Sequence, residues 1–181
     1  MARARYRPVA RNGAHAGDVM VVGGGISGIQ ASLDLANSGF KVFLVDKAPA
    51  IGSHMAQFDK VFPTNDCSMC IESPKLIECS RRPNIEILTC AEFHALKGEA
   101  GNFEVSLSQK PRYVREDRCR GCTTCTEYCP VKIPNEYNQN LSLSKASHVY
   151  FSQAVPLVPY IDAKSCLFLK DEKCTICMGV C

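Results

Sequence analysis

The first regular pattern of apolar residues in the chain is that of a strand, a helix and a second strand. Val19–Val22 form a short apolar run rich in β-branched residues, which predicts a strand. Ile29 and Leu33 follow at helical spacing, and Gly39 predicts the end of that helix. A second apolar run, Val42–Val45, predicts another strand. Because strands that alternate with helices form parallel sheets, this part of the chain predicts an α/β fold.

The middle of the chain has a less regular pattern. Pro63–Asp66 is typical of a loop, and Glu72–Cys79 predicts a short helix. A third strand is predicted over Asn84–Thr89. Two further strands, near Glu92–Leu96 and Phe103–Leu107, flank a glycine-containing turn and therefore predict a hairpin.

The turn after the first predicted strand matches the pattern G-x-G-x-x-G. Gly23 permits the tight turn, Gly25 lets a pyrophosphate approach the backbone, and Gly28 lets the helix pack closely on the strand. The helix N-terminus offers free N–H groups to phosphates, and Asp46 is predicted to accept hydrogen bonds from a ribose. This context predicts a site for FAD or NAD, and an acid at position 46 argues against NADP. The predicted cofactor-binding residues are Gly23, Gly25, Ile26, Ser27, Gly28, Asp46 and Lys47.

Composition places the chain among globular proteins of a reducing compartment. Hydrophobic residues make up 46% of its 181 residues, which is enough for a core. Twelve cysteines without a hydrophobic signal segment favour metal binding over disulfides, so the cytoplasm is the predicted location. No apolar run approaches the roughly 20 residues that a membrane span requires.

The positive charge of the chain is concentrated before its first acid, Asp18. Residues 1–17 are therefore predicted to form a disordered basic tail. The rest of the chain is close to neutral, so no nucleic-acid partner is predicted. The four arginines of the tail are Arg3, Arg5, Arg7 and Arg11.

The last third of the chain carries the cysteine spacing of a two-cluster ferredoxin. Residues 119–130 read CRGCTTCTEYCP, a C-x2-C-x2-C-x3-C-P run in which the fourth cysteine ligates a second cluster. A second set follows as C-x7-C-x2-C-x3-C, with its first gap expanded, so a three-iron cluster remains an alternative there. Zinc is another alternative, because C-x2-C pairs also suit tetrahedral zinc. The crossed pattern predicts one [4Fe–4S] cluster on Cys119, Cys122, Cys125 and Cys181, and another on Cys129, Cys166, Cys174 and Cys177.

Four cysteines lie outside these motifs. Cys67 and Cys70 form a C-x-x-C pair in a predicted loop, where they either ligate a cluster or cycle between dithiol and disulfide beside a flavin. Cys79 and Cys90 are either two further ligands or small buried hydrophobic residues. Two histidines without a partner at ligand spacing are predicted to be structural or surface residues: His54 and His94.

Longer segments resemble the A-type subunit of heterodisulfide reductase. They read GGGISGIQASLDLANSGFKVFLVDKAPAIG, MAQFDKVFPTNDCSMCIESPKL and QAVPLV, together with the ferredoxin motif. The resemblance implies a thioredoxin-reductase-like Rossmann domain, in which Gly23, Gly25, Gly28 and Asp46 hold the ADP half of FAD. It also implies an inserted ferredoxin-like α+β domain with two [4Fe–4S] clusters. On this basis residues 18–111 are predicted to be a partial FAD-binding domain, and residues 112–181 the ferredoxin-type domain.

The same resemblance implies an electron-transfer function. Electrons are expected to pass between FAD and the clusters, in flavin-based electron bifurcation. The implied partners are other heterodisulfide reductase subunits of the B and C type, a hydrogenase or dehydrogenase that supplies electrons, and ferredoxin. No catalytic side chain is predicted, because electron transfer needs none beyond flavin proton exchange. The sequence also lacks a G-x-S-x-G elbow and a paired-histidine metal motif, which argues against a hydrolase.

Two departures from the family pattern limit this interpretation. Gly52-Ser53 stands where related flavoproteins place two glycines. The sequence also ends after the ferredoxin motifs, so we expect a truncated chain whose first strand has an exposed free edge. Two other functions therefore remain open: a stand-alone electron-transfer module with a vestigial nucleotide domain, and a flavoprotein subunit of a quinone-interacting complex.

Overall fold

The structure is a computed structural model that describes residues 17–181. The predicted basic tail, apart from Gly17, lies outside the described residues. The chain forms two compact units, one that ends at Pro111 and one that spans Arg112–Cys181. Within the described range no helix is both long and apolar enough to cross a membrane.

The N-terminal unit combines a parallel sheet with two helices and a hairpin. The pattern of strand, helix and strand predicted for its first third is confirmed, with helix α1 ending two residues before Gly39. In chain order the elements are β1 (Asp18–Val22), α1 (Ile26–Asn37), β2 (Lys41–Val45), a 3-10 turn (Met55–Gln57), β3 (Lys60–Val61), β4 (Asp66–Cys67), α2 (Ser68–Arg81), β5 (Ile85–Leu88), β6 (Ala91–Glu99) and β7 (Asn102–Gln109).

Three parallel strands in the order β1-β2-β5 form the core sheet of this unit. Val42 of the central strand pairs with Val19 on one side and Ile85 on the other. Helices α1 and α2 pack on each other and on the sheet, and they bury Ile29 and Leu76 completely. Full burial of such a side chain contributes roughly 1.5–3 kcal/mol. Among the described residues β1 pairs with β2 alone, so its other edge carries no strand.

Helix α2 is longer than the sequence pattern predicts. The prediction started it near Pro74, whereas it begins at Ser68 and carries Pro74 inside. The sulfur of Cys67 accepts the backbone N–H of Cys70 at 3.2 Å and so caps the helix N-terminus. The prediction that C-x-x-C lies in a loop is therefore wrong, because the pair begins this helix. The loop predicted over Pro63–Asp66 is likewise shorter, since Asp66 belongs to β4.

The predicted hairpin is confirmed and is longer than predicted. Strands β6 and β7 pair antiparallel from Ala91 with Gln109 to Glu99 with Asn102, with a bulge between Phe93 and Ala95. Its turn places Gly101 at a φ of 88°, in the left-handed region that glycine adopts without strain.

The C-terminal unit is built from much shorter elements. Strands β8 and β9 form one antiparallel pair, and β10 and β11 form another. The buried Arg112 side chain connects two segments of this unit. Its Nη1 donates to the Val158 carbonyl at 3.0 Å, and its Nε donates to Glu116 at 2.8 Å. These elements are α3 (Thr124–Glu127), β8 (Lys132–Pro134), β9 (Leu143–Lys145), β10 (Ser147–His148), β11 (Tyr160–Ile161), α4 (Leu167–Asp171) and α5 (Ile176–Val180).

A carboxyl group is buried without a hydrogen-bond partner inside the N-terminal unit. Glu72 of α2 has no exposed surface, and neither of its carboxyl oxygens has a partner. Ser68, one helical turn earlier on the same face, is also fully buried with an unpartnered hydroxyl. Burial disfavours the charged carboxylate and raises the pKa of Glu72 to about 7.

This burial predicts a pH-dependent stability that Glu72→Gln removes. The folded state keeps the Glu72 proton up to about pH 7, while the unfolded chain loses it near the ordinary pKa of 4.5. The contribution of Glu72 to stability is thus complete below pH 4.5 and is lost as the pH rises through 7. The loss amounts to about 3 kcal/mol in the free energy of unfolding.

This effect is measured by unfolding the parent chain and Glu72→Gln in urea, at about pH 5 and at about pH 8. The variant should gain about 2–3 kcal/mol relative to the parent between the two pH values. Glu78→Gln, an exposed acid on the same helix, is the matched control and should show no such gain. Equal pH dependence in all three proteins would contradict the interpretation.

Candidate functional site

The turn between β1 and α1 is held by a close backbone contact. Gly23 has a φ of 106°, and its N–H donates to the Val45 carbonyl of β2 at 2.8 Å. A Cβ on Gly28 would meet the Gly23 carbonyl oxygen well inside 3.0 Å, closer than real Cβ atoms come to their neighbours. Both positions therefore require glycine. This agrees with the turn and packing roles predicted for the two glycines.

A cavity of about 540 Å³ opens beside this turn, within the size range of ligand sites. The N-terminus of α1 forms one wall, and no side chain caps it, so its first-turn N–H groups remain available to an anion. Five of the seven predicted cofactor residues line this wall: Gly23, Gly25, Ile26, Ser27 and Gly28. The opposite wall contains residues that no sequence motif assigns to a cofactor: Gly52, Ser53, His54, Met55, Phe58 and Val61.

The other two predicted cofactor residues lie outside the cavity lining. Asp46 is buried, and its carboxylate accepts the N–H of Gly24 at 2.6 Å and the N–H of Ala48 at 2.7 Å. The carboxylate thus braces the glycine turn. Each oxygen retains a lone pair for another donor, so the ribose contact of Asp46 stays a prediction. Lys47 is exposed.

Gly24 is a further requirement that the G-x-G-x-x-G pattern does not contain. A Cβ at this position would come within 2.5 Å of Ile51 Cγ2 and 2.8 Å of Asp46 Oδ2. The sequence carries a signal for it, since three consecutive glycines exceed the two that the pattern needs. At Ser53, by contrast, the chain has a side chain where glycine would suit the backbone. Its φ is 52°, and related flavoproteins have glycine at this place.

In the C-terminal unit, four cysteines surround one apolar cavity. They are the set predicted for the second cluster, and Cys129 comes from the first motif. Apolar side chains complete the lining, among them Val131, Ile161 and Phe168. The burial of Cys177 and its proximity to other cysteines raise the pKa of its thiol. The four cysteines of this cavity are Cys129, Cys166, Cys174 and Cys177.

The four cysteines predicted for the first cluster have a more open setting. Cys122 and Cys181 are exposed, while Cys119 and Cys125 are partly buried. The Thr124 hydroxyl donates to the Cys122 sulfur at 3.5 Å and lowers the pKa of that thiol. Helix α3, which carries Cys125, packs on α5, which carries Cys177, so the two motifs meet.

Within the described chain, no three His, Cys, Asp or Glu side chains are arranged to hold a single metal ion. A cubane cluster makes a different demand, because each cysteine binds a different iron. Cysteines placed around a cavity rather than around one point suit that demand. The choice between iron and zinc stays a prediction.

The remaining cysteines have separate environments. Cys67 and Cys70 form a disulfide, and both are exposed. Cys79 and Cys90 are buried and form no disulfide, in line with their interpretation as small hydrophobic residues. His94 and His54 are both exposed, as expected for surface residues. His94 bonds the Ser108 hydroxyl, and His54 also lines the cavity beside the glycine turn.

Comparisons with known proteins support the dinucleotide site of the N-terminal unit. A family model described as FAD dependent oxidoreductase matches residues 18–58, which contain the glycine turn and Asp46. The chain is 55% identical over 139 residues to the A-type iron-sulfur subunit 2 of CoB–CoM heterodisulfide reductase from Methanopyrus kandleri, covering 77% of this chain and 21% of that protein. The chain is homologous to the A-type subunit of heterodisulfide reductase.

Two more relatives support the homology. The A-type subunit of H2:CoB-CoM heterodisulfide,ferredoxin reductase from Methanothermobacter marburgensis is 46% identical over 90% of this chain and 24% of its own length. The A-type iron-sulfur subunit of CoB–CoM heterodisulfide reductase from Methanocaldococcus jannaschii is 47% identical over the same shares. The chain thus spans less than a quarter of these relatives. The match to an FAD family supports FAD, rather than NAD, as the dinucleotide.

Two alanine variants should separate the fold requirement of the turn from its binding role. Gly28→Ala should lower the free energy of unfolding by about 1–3 kcal/mol, because the new Cβ displaces the Gly23 carbonyl. Gly25→Ala should keep the stability of the parent, since its Cβ would lie 3.4 Å from Ser53 Cβ, an ordinary contact.

Thermal unfolding and FAD titration by flavin fluorescence measure the two effects. Gly25→Ala should fold normally but bind FAD more weakly, because its Cβ would occupy the cavity wall where the pyrophosphate is expected. Unchanged stability in Gly28→Ala, or unchanged FAD affinity in Gly25→Ala, would contradict the assignment of the turn.

Proposed function

We propose that this chain is the flavin and iron–sulfur portion of an electron-transfer subunit in a heterodisulfide-reductase complex. The observation that carries the proposal is the cysteine-lined cavity of the C-terminal unit. It combines Cys129 from one ferredoxin motif with three cysteines of the other, as the crossed ligation of two-cluster ferredoxins requires. The FAD family match to the N-terminal unit supports the flavin part.

The residues of the N-terminal cavity fit the ADP half of FAD. Gly25 leaves room for a pyrophosphate, and the uncapped N-terminus of α1 supplies N–H donors and a partial positive charge. Asp46 holds the turn in shape and keeps lone pairs for the ribose hydroxyls. Bound FAD would accept electrons in pairs and release them singly, a conversion that protein side chains do not perform.

The cysteines of the C-terminal unit fit one [4Fe–4S] cluster by their arrangement around a cavity and a second by their sequence spacing. Cys129, Cys166, Cys174 and Cys177 would hold one, and Cys119, Cys122, Cys125 and Cys181 the other. The chain's own contribution is to supply thiolates and to exclude water. Val131, Ile161 and Phe168 exclude water around the site that contains Cys129. The Thr124 hydroxyl bonds Cys122 and would influence the potential of the other cluster.

The names of the homologues support a role for this chain within a complex of several subunits. We propose flavin-based bifurcation, in which an electron pair that enters at FAD is divided between ferredoxin and a disulfide-reducing partner. The names of relatives mention H2, a CoB-CoM heterodisulfide and ferredoxin. The proposed partners are B- and C-type subunits, a hydrogenase or dehydrogenase, and ferredoxin, and cytoplasmic localisation stays a prediction.

Cofactor content after anaerobic purification is the direct test. The chain should contain about eight iron and eight acid-labile sulfide, as two cubane clusters require. FAD should be retained at up to one per chain. Zinc in place of iron would overturn the proposal.

Pairs of serine substitutions test the crossed ligation. Cys129→Ser with Cys166→Ser removes two ligands of one cluster, so about four iron should remain. Cys129→Ser with Cys119→Ser removes a ligand from each cluster, so nearly all iron should be lost. Cys79→Ser, which alters a buried cysteine outside both motifs, is the control and should keep about eight. If Cys129→Ser with Cys119→Ser instead keeps about four iron and Cys129→Ser with Cys166→Ser loses nearly all of it, each motif holds its own cluster.

A further inference from the structure

The C-x-x-C pair of the N-terminal unit is oxidised in the structure. Cys67 and Cys70 are joined by a disulfide, whereas the other ten cysteines, all of them within the described residues, form no disulfide. Both half-cystines are exposed, so an external reductant or alkylating reagent has access to them. A disulfide at a single place in a chain rich in cysteine needs a local explanation.

The start of α2 is a setting that favours a reactive thiol. Cys67 immediately precedes this 14-residue helix, and its sulfur accepts the Cys70 N–H at 3.2 Å. The partial positive charge of a helix N-terminus and such a hydrogen bond both stabilise a thiolate. After reduction, Cys67 would therefore be the better nucleophile of the pair.

The disulfide is linked by backbone pairing to the wall of the nucleotide cavity. Strand β4 pairs with β3, so that Cys67 lies opposite Lys60 and Asp66 opposite Val61. Val61 lines the cavity, and neighbouring strands lie only about 4.8 Å apart. Ser68 N–H also donates to the Asp59 carbonyl at 3.2 Å, beside Phe58, which lines the same cavity. The C-x-x-C pair is thus one strand away from the predicted flavin site.

We propose that Cys67 and Cys70 form a redox-active disulfide that accepts an electron pair from the reduced flavin of an FAD whose ADP half is bound in this cavity. In the net step the Sγ–Sγ bond breaks and two S–H bonds form. The reduced flavin gives up two electrons and two protons and is oxidised to FAD. The inference rests on the proposed FAD site, but it adds a disulfide acceptor to the cluster acceptors of the proposed function.

Ligation of a cluster by this pair is the competing interpretation. A cubane needs four ligands, and the other two cysteines of the unit are buried. Cys79 donates to the Ile29 carbonyl at 3.8 Å, and burial raises the pKa of its thiol to about 11, which disfavours a thiolate ligand.

Differential alkylation of the full chain tests the proposal. Trypsin cleavage after Lys60 and Lys75 releases a peptide that contains Cys67 and Cys70 and no other cysteine. The chain is loaded with FAD, its flavin content is measured, and the flavin is reduced photochemically without added thiol. N-ethylmaleimide then traps free thiols, and mass spectrometry counts the labels on the peptide.

The peptide should carry no label before reduction and two after it. Cys79→Ser should behave like the parent, whereas Cys67→Ser should carry one label in both states. Both serine variants at 67 and 70 should retain the iron content of the parent. Dithiothreitol reduction of FAD-free chain provides the maximum label count.

Each contrary outcome has a separate meaning. FAD present and reduced, with the peptide still unlabelled, would overturn this inference alone. Failure to bind FAD would overturn the proposed function and this inference with it. Loss of about four iron in Cys67→Ser or Cys70→Ser would assign the pair to a cluster and overturn the redox disulfide.

Discussion

The N-terminal unit depends on one close backbone contact. The Gly23 carbonyl oxygen occupies the space where residue 28 would otherwise carry its Cβ. This contact brings the N-terminus of α1 against the end of β1, and so places uncapped N–H groups on the cavity wall. Asp46, which follows the second strand, reinforces the turn by accepting the N–H of Gly24. The cavity, and with it the predicted FAD site, follows from this packing.

The C-terminal unit depends on a different constraint. Its helices are four or five residues long and its strands two or three, too short to be stable by their own hydrogen bonds. A small unit of this kind usually needs disulfides or metals in addition to its apolar core. Its cysteines are free, and four of them converge on an apolar cavity. Clusters bound by these cysteines would couple the folding of this unit to its proposed electron-transfer function.

The sequence predicts those parts of the fold that have a local periodic signal. Strands β1 and β2, helix α1 and the β6–β7 hairpin are long enough, or sufficiently marked by glycine, to be recognised. The start of α2 was missed because a cysteine sulfur caps it instead of the usual oxygen, and because Pro74 suggests a later start. The buried Glu72 has no sequence signal, since it depends on packing between elements distant in the chain.

The candidate sites show the same division. The glycine turn and the cysteine spacings are visible in the sequence because their chemistry fixes residue type and separation. The second wall of the nucleotide cavity is formed by residues 52–61, whose irregular backbone has no motif. The pairing of β3 with β4, which brings the C-x-x-C pair beside this wall, is only two residues long and has no recognisable pattern.

Anomalous diffraction at the iron edge, from crystals grown anaerobically, is the most direct test of the central claim. Two separate iron centres are predicted in the C-terminal unit. One should be bound by Cys166, Cys174 and Cys177 together with Cys129 of the other motif. A single centre, or two centres each bound by four consecutive cysteines of one motif, would contradict the crossed ligation on which the proposed function rests.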